Sequence, residues 1–78
     1  MNRIAIQLFG QLCDIAQSDR ILLPAVDDTE QLINALFAEY PGLRSATFLL
    51  AVDKKIVRGK QSIQPDAEIA LLPPFSGG

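Results

Sequence analysis

The chain has 78 residues, room for one domain, and 49% of them are apolar, enough for one compact core. Seven basic residues against nine acidic ones give a formal net charge of −2, and the basic residues form no run, which argues against nucleic acid and against an anionic membrane surface as partners. With no histidine and one cysteine, His-based triads, His-rich metal sites and Cys–His pairs are excluded within the chain, so most of any catalytic machinery must belong to a partner.

Arg3 to Phe9 alternates, with Ile4, Ile6 and Leu8 on one face and Ala5, Gln7 and Phe9 on the other, the pattern of a half-buried strand. Gly10 breaks it. Gln11 to Gln17 then reads as a short helix with Leu12, Ile15 and Ala16 facing inward and Cys13 off that face. Cys13 reads better as a small residue on a helix flank than as a reactive thiol. After a turn at Ser18-Asp19, Arg20 to Leu23 is a short strand stopped by Pro24, expected to pair with the first strand as a hairpin.

Asp28 is the expected N-cap of the main helix, with Gln31 three residues on as in a capping box and Glu30 in the first turn. Leu32, Ile33, Leu36, Phe37 and Tyr40 make one apolar stripe along Thr29 to Tyr40, and Pro41-Gly42 ends the helix. Leu43 to Ala46 is expected as a connector. Thr47 to Val52 is a strand apolar on both faces and so an interior one. Asp53-Lys54-Lys55 is a turn, Ile56-Val57 a short returning strand, residues 58–62 a loop and Ile63 to Asp66 a further turn. Ala67 to Leu72 is the last strand.

A hairpin, a helix and further strands imply an α+β fold: a mixed sheet of about five strands, one main helix across one face and a short helix after the first strand. The first and last strands are expected side by side and parallel, joined through the crossover that the helix supplies. This is the ubiquitin-like β-grasp arrangement. Residues 1–72 form the domain on this reading, and 73–78 an extended tail.

That tail, Pro73-Pro74-Phe75-Ser76-Gly77-Gly78, is the stretch with functional content. Two prolines fix φ near polyproline geometry, so the tail should leave the body stiff and extended. Gly77 and Gly78 lack Cβ atoms and can pass through a channel too narrow for side chains. Extended, the six residues reach roughly 20 Å, far enough to carry the Gly78 carboxylate into another protein. No apolar run approaches the roughly 18 residues of a membrane span, no signal peptide precedes the first strand, and a lone cysteine suits a reducing compartment. A cytoplasmic protein is the expectation, and its acidic balance suits a basic face on a partner.

The sequence resembles the small, sulfur-carrier subunits of molybdopterin synthases. The residues that carry the resemblance are Leu8-Phe9-Gly10 leading into Leu12 and Ile15, Tyr40-Pro41-Gly42-Leu43, Leu50-Ala51-Val52-Asp53, and above all Ala70-Leu71-Leu72 with the six tail residues. The likeness spans essentially the whole chain, and its terminal motif is the specific part. Pro65-Asp66-Ala67 departs from it, since the family usually has a Gly-Asp turn there. The resemblance implies that the Gly78 carboxylate is adenylated by a ubiquitin-activating-like adenylyltransferase with ATP. Sulfur from a persulfide donor then replaces AMP to give a thiocarboxylate. The tail enters the large catalytic subunit of the synthase, in a heterotetramer, and passes sulfur to cyclic pyranopterin monophosphate. AMP and the thiocarboxylate are transient covalent states, and no cofactor or metal is bound stably. Pro73, Pro74, Phe75, Ser76 and Gly77 are the expected partner-binding residues, with the Phe75 ring in an apolar site. Three other readings stand beside this one: a thiamin-pathway sulfur carrier, which usually lacks the diproline; a ubiquitin-like protein modifier; and an interaction module with an inert tail.

Overall fold

The computed structural model describes residues 3–74. Five strands form one mixed sheet in the order β2-β1-β5-β3-β4: β1 is Arg3–Leu8, β2 Arg20–Pro24, β3 Leu49–Val52, β4 Lys55–Ile56 and β5 Ile69–Leu72. Two helices accompany it, α1 (Leu12–Ala16) and α2 (Thr29–Glu39), with a 3-10 helix at Pro41–Ser45. The expected α+β, β-grasp arrangement is the one observed.

The period of two in β1 decides which way the sheet faces. Ile4, Ile6 and Leu8 are buried under α2 while Arg3, Ala5 and Gln7 turn away. β2 repeats the pattern with Ile21 and Leu23 inward and Leu22 outward, in antiparallel register Ile6↔Ile21 and Gln7↔Arg20. β5 lies between β1 and β3, parallel to the former (Ile6↔Ile69, Leu8↔Leu71) and antiparallel to the latter (Leu50↔Leu71, Ala51↔Ala70). Leu32 and Leu36 of α2, both fully buried, close one core with Ile6, Leu23 and Leu71. Burial of each such side chain contributes about 1.5–3 kcal/mol, so this shared core holds the fold.

α2 starts where its cap predicts. Asp28 is the N-cap, and its Oδ1 accepts a hydrogen bond from the Gln31 N–H at 2.9 Å. Gln31 reaches back, but its Oε1 accepts from the Asp27 N–H rather than the Asp28 N–H. The buried Thr29 hydroxyl ties the helix to the loop before β5, accepting from the Gln61 N–H at 3.0 Å and donating to the Gly59 carbonyl at 3.4 Å.

Several local expectations are corrected. Residues 43–46 are not a bare connector: the 3-10 helix places Leu43 in the core with no exposure. α1 runs Leu12–Ala16 and turns differently from the expectation, because Cys13 packs against the core while Ile15 is 39% exposed and lies over Gly42. β3 begins at Leu49 rather than Thr47, since Phe48 leaves the strand to stack edge-on against Phe37 at 6.2 Å. β4 is Lys55–Ile56 rather than Ile56-Val57, because the reversal takes only Asp53 and Lys54, both at positive φ, the geometry of a tight hairpin turn. β5 begins at Ile69 rather than Ala67. At the departure from the family pattern, Gln64 to Ala67 form a β-turn with Pro65 second. The Ala67 N–H donates to the Gln64 carbonyl at 3.1 Å, and Asp66 is not at positive φ, so the turn is of type I and needs no glycine.

Candidate functional site

β5 is the middle strand of the sheet, and the tail continues from its end. Pro73 and Pro74 are the tail residues the structure places; Phe75, Ser76, Gly77 and Gly78 lie outside the described residues. Pro73 is half-buried and Pro74 exposed. The chain is therefore held by its own domain through Pro73 and becomes accessible at Pro74.

What holds Pro73 is the turn after β1. The Phe9 N–H donates to the Leu71 carbonyl at 3.2 Å, which continues the β1–β5 pairing one step past Leu8. Gly10 follows at φ +60, and its bare backbone faces the Pro73 ring so closely that a Cβ there would stand 2.6 Å from Pro73 Cγ. The turn then feeds α1, with the Cys13 N–H donating to the Gly10 carbonyl at 3.1 Å. Cys13 itself is part-buried, and its Sγ lies 3.1 Å from the Leu8 carbonyl, to which it donates.

Beside the tail root, the face of the sheet turned away from α2 carries large exposed apolar side chains. Phe9 is 43% exposed, Ile56 42% and Leu22 52%. Pairing of Leu49 with Leu72, and of Ala51 with both Ala70 and Ile56, puts small residues at the centre of this face and larger ones around it. A shallow hollow of about 320 Å³ results, lined by Phe9, Ala51, Ile56, Ala70, Leu72 and Lys54 among others. Lys54 and Glu68 are the charged residues in its lining, and Arg20 lines a neighbouring hollow together with Glu68. A second hollow of about 460 Å³, with Ile33, Phe48 and Val57 in its lining, is on the helix side of the sheet.

The sequence marks the tail more plainly than this face. The signal was present: Phe9 and Leu22 sit on the polar phase of their strands, where an apolar side chain has no core to enter. Among the described residues no group of three or more His, Cys, Asp or Glu side chains could hold a metal ion, and no helix is long and apolar enough to cross a membrane.

Comparison with known proteins agrees with this architecture. The chain is 29% identical over 84 residues to the molybdopterin synthase sulfur carrier subunit of Caenorhabditis elegans, with 100% of both chains covered. Among solved structures, SAMP1 from Haloferax volcanii superposes with a TM-score of 0.79 at 21% identity, covering 99% of this chain and 100% of that one. The complex of subunits 1 and 2 of the molybdopterin-converting factor from Helicobacter pylori 26695 holds a chain that superposes with a TM-score of 0.71 at 20% identity, covering 97% of this chain and 99% of that one. The model of the ThiS family matches residues 6–78, from the middle of β1 through the glycine pair. The chain belongs to the ThiS family.

Proposed function

We propose that this chain is the sulfur-carrier subunit of a molybdopterin synthase, with residues 1–72 as the body and 73–78 as the delivery arm. The observation that supports it most is the family match running through Gly78, behind a diproline whose root lies at the end of the central strand.

A carboxylate is a poor electrophile. A ubiquitin-activating-like adenylyltransferase transfers AMP from ATP to the Gly78 carboxylate, releasing pyrophosphate and leaving an acyl carbon with a good leaving group. The outer sulfur of a persulfide donor displaces AMP. A thiol then cleaves the S–S bond, leaving sulfur on Gly78 as a thiocarboxylate and the donor as a disulfide. The loaded tail enters the large catalytic subunit, within a heterotetramer, and gives its sulfur to cyclic pyranopterin monophosphate. Gly77 threads the channel, and Phe75 and Ser76 dock at its mouth. The acid and base groups are the partners', in keeping with a chain that has no histidine. The apolar hollow beside Pro73 provides the body's docking face, so that the same surface and the same arm serve adenylyltransferase and synthase in turn.

The test is intact mass after incubation with ATP, the adenylyltransferase and a persulfide donor. The expected product is heavier by the replacement of one oxygen with sulfur, and removal of Gly77-Gly78 abolishes the change. An unmodified wild-type chain under these conditions overturns the reading. Because the fold is shared with small archaeal modifier proteins, the same activated carbonyl could instead be attacked by a lysine amine. An isopeptide between Gly78 and another protein in cell extracts, in place of the thiocarboxylate, would favour that use.

A further inference from the structure

We infer that Gly10 is a positioning residue for the terminal arm: the side-chain-free turn after β1 is a seat for Pro73, and this seat fixes the direction in which the chain leaves the body. The functional consequence rests on the carrier reading above; the contact itself does not.

Both halves of the contact are held from behind. On one side, Gly10 stands in the left-handed region at φ +60 between two anchors, the Phe9 N–H on the Leu71 carbonyl and the Cys13 N–H on the Gly10 carbonyl. Leu12 and Leu71, fully buried, pin the segments on which those anchors sit. On the other side, Pro73 has its own φ fixed by its ring, and Pro74 after it disfavours the helical region for residue 73. Two stiff segments therefore meet with no side chain between them. A methyl group on residue 10 would stand 2.6 Å from Pro73 Cγ, a separation that requires one of them to move.

The direction matters wherever a partner receives the arm extended. Five residues from Pro74 to Gly78 reach about 17 Å when extended, so a tilt of about 10° at the root displaces the far end by about 3 Å. That is as large as the separation at which reacting atoms must be held, and misplacement of about 1 Å can already cost 10²-fold in rate. The docking face is part of the rigid body and does not feel the tilt. A disturbed seat should therefore slow loading after docking and leave docking itself intact.

Two measurements test this. In the wild-type protein, proton NMR should show a nuclear Overhauser effect between the Gly10 Hα protons and the Pro73 ring. Its absence overturns the seat whatever the chain carries. In loading assays with the adenylyltransferase, folded Gly10→Ala should keep the wild-type KM and lose about 10- to 100-fold in kcat. Adding Pro73→Ala to that variant removes the ring atoms that the new methyl meets, while Pro74 keeps residue 73 extended. The double variant should recover the kcat of Pro73→Ala alone. Its melting temperature should stay low, because the alanine at position 10 remains at positive φ. Recovery of rate without recovery of stability separates positioning from a structural role. Wild-type kcat in folded Gly10→Ala, or a double variant as slow as Gly10→Ala, overturns the inference. A wild-type chain that never accepts AMP or sulfur instead overturns the carrier reading, and the NMR result still decides the seat.

Discussion

Lys54 occupies a position that suits glycine. It is the second residue of the β3–β4 turn and lies at φ 69, after Asp53 at φ 52. Asp53 has reason to be there: its Oδ1 accepts from the Glu68 N–H at 3.0 Å and its own N–H donates to the Glu68 carbonyl at 2.8 Å, so it clamps the start of β5. The described structure gives Lys54 no such bond. A non-glycine residue in this region costs about 1 kcal/mol, and the greater unfolded-state freedom of glycine takes back about half of that. Lys54→Gly should therefore stabilise the fold by about 0.5 kcal/mol and raise the midpoint of thermal unfolding by about 2–4 °C. Calorimetric melting of the two proteins checks this, and a lower midpoint would show that the lysine makes a contact worth more than its strain.

At the scale of elements, α2 illustrates how a helix written plainly in sequence still depends on one side chain at its start. The Asp28 cap satisfies the Gln31 N–H, one of the donors that an α-helix leaves unpaired at its N-terminus. Its other oxygen lies 3.9 Å from Lys60 Nζ, a long, largely solvated pair that adds little. Asp28→Ala should cost about 1 kcal/mol, measurable by urea unfolding with an unchanged m-value, whereas Lys60→Ala should cost much less. The cap, the stripe of α2 and the alternation of β1 were legible because each repeats a local rule several times over. The elements misread are those where the rule had no room to repeat. α1 has five residues, too few to fix the phase of its buried arc, so its sequence alone puts Ile15 inward and Cys13 outward. Leu43 stands between Pro41-Gly42 and two polar residues, a context of turns, and enters the core only because the 3-10 helix folds under α1 and α2. Ile63 likewise sits in a loop and is buried by tertiary packing that no neighbouring residue announces.

For the whole molecule, the sheet divides the protein into a side that folds it and a side that leaves apolar side chains in solvent. On the helix side, Ile6, Leu23, Leu32 and Leu71 are almost wholly removed from water. On the other, Phe9, Leu22 and Ile56 each keep about two-fifths or more of their surface in solvent. The tail was legible from composition because a diproline and a glycine pair at the end of a strand are local signals. The face beside it was not, because it is assembled from five strands whose register only the fold supplies. This division makes a separable prediction. Phe9→Asp adds a charge to the rim of the hollow without opening the core, so the melting temperature should change little. If the hollow is the docking face, binding of the large synthase subunit should weaken at least tenfold, about 1.4 kcal/mol, since a carboxylate would have to lose its water against an apolar partner surface. Titration calorimetry with that subunit reads the loss, with Asn34→Asp on the exposed flank of α2 as a change of the same charge elsewhere. Equal affinity for the two variants would move docking off this face and leave the arm as the sole point of engagement.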